Sequence, residues 1–187
     1  MRARSLVAAV ATAAAMTGGV ALAAPAQADA QSSATLATLA TLPVKGRAPK
    51  TGYDRSLFGD SWTDDVTVTD GHNNGCDTRN DILRRDLVAV EIKPGSNGCA
   101  VLSGTLWDPY TGTTIDFQRG DGTSSQVQID HVVAFSDAWQ KGAQQWDAAT
   151  LRNFANDPIN LQATSASINQ QKGDGDAATW LPPNKSY

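Results

Sequence analysis

The acidic side chains of this chain are almost all aspartate, and this bias limits the secondary structure that the chain can form. Of the 19 acidic residues only Glu91 is a glutamate, and the other 18 are aspartates. Aspartate competes with helical backbone hydrogen bonds and favours helix caps and turns. Together with 16 glycines and eight prolines, this composition predicts a domain with many loops and with short helices and strands.

The first 28 residues have the pattern of a secretory signal peptide. Arg2 and Arg4 precede an alanine-rich apolar run, and small residues with A-x-A spacing follow at 26–28 and 28–30. A transmembrane anchor is the alternative, but the run is rich in alanine and glycine and offers several cleavage sites. We therefore predict export, an extracellular location and no membrane contact after cleavage.

The net charge of the exported chain limits how it can bind nucleic acid. Cleavage after residue 28 would leave 13 basic and 19 acidic residues, a formal net charge of −6. This argues against simple electrostatic coating of nucleic acid, but not against an enzyme that uses a local basic patch and a metal ion. Residues 29–50 are small, polar and repetitive, which predicts a flexible linker before a folded domain at 51–187.

The two cysteines, Cys76 and Cys99, are 23 residues apart. An even number of cysteines in an exported chain favours a disulfide. Two free buried thiols are the alternative. A zinc site is disfavoured because the chain has no C-x-x-C motif and only two histidines.

Alternating polarity and turn residues predict short elements in mixed order. Helix caps are expected at Asp77, Ser136 and Asp147. Strands are predicted at 88–93, 99–107, 113–118, 159–164 and from Val127, and helices at 77–87, 136–143, 147–155 and 165–173. This order favours a small α+β domain with β-hairpins over a wound parallel sheet.

Asp130 and His131 are neighbours on the strand that begins at Val127, and both can carry chemistry. Successive strand residues point to opposite faces, so the two side chains are expected to serve different partners. The carboxylate suits a hard divalent cation, and a histidine near its ordinary pKa suits general-base work on water. A satisfied structural histidine in an apolar strand is the alternative.

A site for a divalent cation and a phosphate could be completed by three later residues, Asn160, Asn169 and Lys172. If 165–173 is helical, Asn169 and Lys172 share a face, because they are three residues apart. An asparagine oxygen is a neutral hard ligand for Mg²⁺, and lysine offers a cation to phosphate. Turn chemistry at Asn160 and a solvated helix face for the other two are the alternatives.

The segments QIDHVV, NDPINL and NQQKGD together resemble the pattern of HNH endonucleases, in which a ββα-metal finger surrounds one divalent ion. More closely, the chain resembles secreted bacterial members of the GmrSD C-terminal-like HNH family. The stretches that carry this resemblance cover most of 51–187: GCDTRNDILRRDL, SGTLWDPYTGTTIDFQRG, QIDHVVAFSDAW, FANDPINL and NQQKGDGDAATWLPPNKSY.

The resemblance implies a role for each residue of the pattern. Asp130 would bind the metal, His131 would activate water, and Asn160 would brace the loop and orient the histidine. Asn169 would be the second metal ligand, and Lys172 would contact phosphate. The implied function is a secreted endonuclease that hydrolyses DNA, with RNA as an open alternative. One divalent ion is expected, Mg²⁺ first and Mn²⁺ or another ion as the alternative.

Two other features are weaker indications of a binding site, the arginines of the 77–87 helix and an acidic loop. Arg79 is expected to contact substrate phosphate, whereas Arg84 and Arg85 favour a solvated helix face. The segment 70–81 loosely fits a calcium loop. His72 at its third position is a poor ligand, so a turn-rich loop anchored by the disulfide is preferred.

The chain departs from the family pattern at two places. Residues 164–168 lack the acidic or glycine residues expected before the final asparagine, and the pattern is expected to continue beyond Tyr187. The alternative function is a catalytically inactive secreted binding or structural module on an HNH-like scaffold. A glycoside hydrolase is disfavoured because no glutamate is placed for it. A monomer is expected.

Overall fold

The computed structural model describes residues 25–68 and 73–187, with side chains from residue 32 onward. The predicted signal peptide and the first residues of the loose calcium motif therefore lie largely outside the described residues. The chain divides into two units, Met1–Lys45 and Gly46–Tyr187. No described helix is long and apolar enough to cross a membrane.

The described part of the first unit contains one helix, α1 (Pro25–Thr41). The linker predicted at 29–50 was expected to lack such structure, and this expectation is corrected for the residues up to Thr41. The physical reason is composition, because alanine and leucine are good helix formers. The last residues of that linker, from Gly46, belong to the second unit.

The second unit is α+β, which confirms the predicted class. Its elements in chain order are α2 (Thr78–Asp86), β1 (Leu87–Ile92), β2 (Val101–Asp108), β3 (Thr113–Gln118), β4 (Val127–His131), α3 (Phe135–Gln140), α4 (Ala148–Ala155), β5 (Leu161–Ser165) and α5 (Ala166–Lys172). β1, β2 and β3 form an antiparallel sheet in that order, and β4 pairs with β5 as a separate antiparallel hairpin.

One hydrophobic core joins α2 to both sheets. Ile82 and Leu83 of α2 are buried with Leu106 of β2, Ile129 of β4 and Leu161 of β5. Each strand of the hairpin has two residues in this core, Val127 and Ile129 in β4 and Leu161 and Ala163 in β5. The hairpin is held against a rigid body, and this fixes the side chains at its end.

A second core of aromatic residues holds the segment before α2 against α3 and α4. Phe58 ends a short 3-10 turn (Arg55–Phe58) and stacks on Phe135 with ring centroids 4.2 Å apart. Gly59 follows with φ +80°, and a Cβ there would lie 3.3 Å from the Arg152 side chain. Glycine thus permits both the backbone turn and the close approach to α4.

Two of the three predicted caps are confirmed. Asp77 accepts a hydrogen bond from the Asn80 backbone N–H, and Asp147 accepts one from the Thr150 N–H. The cap predicted at Ser136 is wrong, because α3 already begins at Phe135 and Ser136 is buried inside it. Burial of Phe135 in the aromatic core places the helix start, and tertiary packing overrides the local capping preference.

Cys76 and Cys99 form the predicted disulfide, which ties the loop before α2 to the segment before β2. Closing a loop of 23 residues removes unfolded-state entropy worth about 3 kcal/mol. We expect the double variant Cys76→Ser/Cys99→Ser to lose about that much free energy of unfolding in urea. A loss below about 1 kcal/mol would contradict the entropic account.

Candidate active site

The hairpin and α5 bring the predicted residues together. In the hairpin register, Asp130 pairs with Gln162 and His131 with Leu161. α5 starts directly after β5, because the Ser165 side chain accepts a hydrogen bond from the Ile168 N–H, and it ends at Lys172 with Gly173 as its C-cap. The chain turns back where β5 passes into α5, and α5 therefore packs against both strands. Residues on one face of α5 contact the end of β4.

The His131 ring is buried and anchored through one nitrogen. Its exposed fraction is 8%, and Nε2 lies 2.8 Å from the carbonyl oxygen of Ala155. Because a carbonyl only accepts, Nε2 carries the hydrogen and Nδ1 keeps the lone pair. Nδ1 has no hydrogen-bond partner among the described residues. The ring is therefore held in the tautomer that a general base requires.

Burial lowers the pKa of His131 to about 4. The hydrogen bond to the Ala155 carbonyl opposes this shift, whereas the charges of Arg55 and Lys172 add to it. The imidazole is consequently neutral at physiological pH, and it can accept a proton without first losing one.

This pKa makes stability depend on pH. The unfolded chain protonates His131 near pH 6.5, whereas the folded protein does so only near pH 4. The free energy of unfolding should therefore fall as pH decreases through this window, by about 2–3 kcal/mol between pH 7.5 and 4.5 from this residue. Urea unfolding at both pH values, with chelator present, should show a correspondingly smaller fall for His131→Gln. An equal fall in both proteins would contradict the assignment.

Asp130 is the centre of a buried polar network. Its Oδ2 accepts a 2.8 Å hydrogen bond from the Tyr110 hydroxyl, and its Oδ1 accepts a 2.9 Å bond from Lys172 Nζ. Burial raises the pKa of the Asp130 carboxyl, and the bonds from Lys172 and Tyr110 oppose this by stabilising the carboxylate. Burial and the Asp130 charge raise the pKa of Tyr110 well above its ordinary value, so the hydroxyl remains a donor.

The structure places Lys172 differently from the sequence expectation of a phosphate contact. Its side chain is 3% exposed, and Nζ also donates to the His131 carbonyl at 2.8 Å. A buried ammonium requires such partners, because an unpaired charge in the interior is costly. Lys172 therefore positions Asp130 and the end of β4, and in this arrangement its amine is not offered to a substrate.

Arg79 is also placed away from the role expected of it. Its guanidinium donates to the carbonyls of Ser124 and Val127, at 3.0 and 2.9 Å. Two cavities open beside His131, and Arg79 lines neither of them. Burial lowers its pKa from the ordinary value. Arg85 likewise donates to the Pro158 and Leu161 carbonyls. Both arginines tie α2 to the loops around the hairpin.

Asn160 braces the loop that follows β4. Its Oδ1 accepts from the Val133 N–H at 2.8 Å, and its Nδ2 donates to the Val133 carbonyl at 3.2 Å. Its own carbonyl accepts from Val132. These bonds hold the backbone directly after His131, while the ring itself is anchored by Ala155.

A cavity of about 240 Å³ opens beside Asp130 and His131, and we call it the polar cavity. It is lined by Tyr53, Arg55, Ile129, Asp130, His131, Ala134, Phe135, Asn169, Gly173 and Asp174. Asn169 Nδ2 donates to Gln128 Oε1 at 2.8 Å, which leaves its Oδ1 without a partner among the described residues. Two oxygen donors, from Asp130 and Asn169, thus border one space.

This donor set fits a hard divalent cation with few protein ligands. Two of the roughly four lone-pair positions of the Asp130 carboxylate are used by Tyr110 and Lys172, and the others remain. Within the described ranges, no group of three or more histidine, cysteine, aspartate or glutamate side chains could hold a metal. An ion here would therefore keep water or phosphate oxygens as its other ligands, as Mg²⁺ commonly does.

Sequence reasoning missed three residues of this region. Arg55 lines the polar cavity, packs over the Phe135 ring at 4.7 Å and forms no ion pair with a described residue. Trp62 stacks on His131, and Tyr110 holds Asp130. Arg55 and Trp62 lie in a loop-rich segment without periodicity, and Tyr110 lies in a turn. No local pattern distinguishes them.

Comparison with known proteins assigns the chain to a family. Residues 77–187 match the family described as the C-terminal domain of GmrSD restriction endonucleases. This match covers more than half of the chain, so the chain belongs to that family, and the family part of the resemblance is confirmed. The HNH-type ββα-metal finger stays a prediction.

A fungal protein is also similar over most of the chain. It is an uncharacterized secreted protein of Arthroderma benhamiae, 37% identical over 151 residues. The similar region is 80% of this chain and 66% of the relative, so the chain spans about two thirds of the relative's length. No solved structure matches the chain. The expected bacterial source of the family members stays a prediction.

Proposed function

We propose that this chain is a secreted, metal-dependent endonuclease of the HNH type, in which β4, β5 and α5 form the ββα-metal finger. The observation that carries the proposal is the anchored His131 ring. Its Nε2–H is bound to the Ala155 carbonyl, and its ring borders the same cavity as Asp130 and Asn169. A neutral imidazole beside two oxygen atoms that could bind a metal suits metal-assisted hydrolysis of a phosphodiester.

The family and the relative support this reading. The family takes its description from restriction endonucleases, which makes nucleic acid the expected substrate. The relative's description as secreted agrees with the signal-peptide pattern of the first 28 residues. DNA is the substrate we propose first, with RNA to be compared in the same assay.

The residues of the chain perform the proton transfer and the positioning. His131 Nδ1 takes a proton from water as the water oxygen bonds to phosphorus, and the bond from phosphorus to the 3′ oxygen breaks. Asn160 keeps the backbone after His131 in place, and Lys172 orients the Asp130 carboxyl group and opposes the rise in its pKa. Arg55 offers its guanidinium to the phosphate.

Asp130 and Asn169 would hold the divalent ion, Mg²⁺ first. When bound, the ion supplies electrostatic stabilisation to the charge that develops on the phosphate and on the leaving oxygen.

The proposal is tested by incubating the purified protein with plasmid DNA in Mg²⁺ or Mn²⁺. We expect nicking and linearisation that stop when chelator is added and resume when excess metal is restored. Binding of DNA without degradation in either metal would favour the alternative, an inactive binding module on the same scaffold.

The second metal ligand is tested by Asn169→Ala. We expect the Mg²⁺ concentration that gives half-maximal rate to rise by roughly 10–100-fold or more, because even residues behind the ligands have effects of this size. Gln170→Ala is the matched control, since Gln170 is exposed on the same helix. Equal metal dependence of Asn169→Ala and Gln170→Ala would remove Asn169 from the metal site.

A further inference from the structure

A second cavity lies beside His131, and the nuclease mechanism does not use it. Its volume is about 230 Å³, and we call it the aromatic cavity. The residues that line it include Arg55, Asp60, Trp62, His131, Phe135 and Asn156. Pockets for drug-sized ligands usually measure roughly 300–1,000 Å³, so this one suits a single ring system. His131 and Arg55 also line the polar cavity, which makes the two cavities neighbours.

The walls of the aromatic cavity are suited to a planar ring. Trp62 is stacked on His131, with centroids 5.8 Å apart and an angle of 12° between the planes, so no base fits between these two rings. A base would stack on the part of the indole that lines the cavity. Trp62 has a φ of 61°, which a bulky residue rarely adopts, and its carbonyl accepts from the Thr78 N–H at 3.2 Å. The start of α2 therefore holds Trp62 in this conformation, and the indole does not depend on a ligand for its place.

Two polar residues, Asn156 and Asp60, line the same cavity. Asn156 is 0% exposed, and its Nδ2 donates to the Arg152 carbonyl. Its Oδ1 has no hydrogen-bond partner among the described residues. Asn156 and its Oδ1 are inaccessible to solvent, so this amide is part of the wall of the cavity. Asp60 adds a carboxylate acceptor at the exposed side.

Arg55 joins the two cavities chemically. Its guanidinium packs over Phe135 and carries a charge that no described carboxylate pairs. A phosphate bound beside His131 would lie next to Arg55. The base on the neighbouring sugar would then lie at the aromatic cavity. Proteins bind single-stranded nucleic acid with aromatic faces, with acceptors for the N–H groups of bases, and with a cation beside them for the phosphate.

We propose that the aromatic cavity is a subsite for one unpaired base of the substrate strand, next to the scissile phosphate. This rests on the proposed nuclease function. A paired base cannot enter such a cavity without leaving its stack. The protein should therefore bind and cleave single-stranded or unwound substrate in preference to relaxed duplex.

The test compares two ligands that differ only in their bases. One is a thymidine decamer and the other is a ten-unit deoxyribose-phosphate chain without bases. Binding is measured by fluorescence anisotropy with chelator present, so that no cleavage occurs. The native protein should bind the decamer about ten- to a hundredfold more tightly, as expected for stacking of one base. Trp62→Ala should abolish most of this difference.

Two further variants make the result specific. Trp62→Phe keeps an aromatic face and should keep most of the preference, which a loss of folding would not allow. Trp107→Ala is the matched control, because Trp107 is 65% exposed on β2 and does not line the cavity. It should behave as the native protein does.

Failure of the subsite and failure of the nuclease proposal can be told apart. Equal affinity of the native protein for both ligands, or an unchanged preference in Trp62→Ala, would overturn the subsite even if the protein cleaves DNA. Conversely, a preference that depends on Trp62 in a protein that cleaves nothing would support the subsite and overturn the nuclease.

Discussion

Lys172→Met is expected to lower the free energy of unfolding by about 3–5 kcal/mol. The variant removes the ammonium that is 2.9 Å from the Asp130 carboxylate, and this carboxylate is 4% exposed. Only the Tyr110 hydroxyl would then remain as its described partner. An ionised carboxylate with half of its partners is costly in the interior. Urea unfolding at pH 7 measures the loss.

Controls separate the ion pair from the loss of side-chain packing. Lys185→Met, at an exposed lysine outside this network, should change stability by less than about 0.5 kcal/mol. The double variant Asp130→Asn/Lys172→Met should lose less than the sum of the single variants, because no charge is left unpaired. A Lys172→Met protein as stable as the native one would show that the pair does not form.

His131→Gln is expected to lower the rate of DNA cleavage by roughly 10²–10⁴-fold, the usual contribution of one general base. A glutamine amide can still donate to the Ala155 carbonyl, which His131 Nε2 now contacts at 2.8 Å. It offers no basic nitrogen to water. Single-turnover cleavage of a labelled oligonucleotide at saturating Mg²⁺ measures the chemical step.

The matched readouts for His131→Gln are folding and substrate affinity. Circular dichroism should be unchanged, and affinity for the deoxyribose-phosphate chain without bases, measured in chelator, should stay within about threefold of the native value, since the change removes a proton acceptor and not a phosphate contact. A cleavage rate within threefold of the native one would place the general base on another residue.

Local pattern predicted much of the fold because the elements are short and their ends carry strong turn residues. The helix after Asp77, the strand 113–118 and the helix after Asp147 were all placed correctly. In each case one side chain or one alternating run decides the structure. The start of α3 at Phe135 could not be predicted from the neighbouring residues in the sequence, because the aromatic core determines it.

The candidate site could be predicted in part for a similar reason. The spacing of Asn169 and Lys172 correctly placed both on one face of a helix. Spacing does not say what that face packs against, and so it could not show that Lys172 turns inward onto Asp130. Arg55 and Trp62 reach His131 only through packing between segments far apart in the chain, which leaves no trace in local sequence.

The ends of the cleavage products test the central claim most directly. If water attacks phosphorus at His131 and the 3′ oxygen leaves, DNA cut in the presence of Mg²⁺ must carry 5′-phosphate and 3′-hydroxyl ends. These ends can be identified by whether ligase rejoins the nicks and polymerase extends them without prior treatment. The account predicts that both reactions succeed. Ends that carry a 3′-phosphate, or the absence of any metal-dependent product, would contradict it.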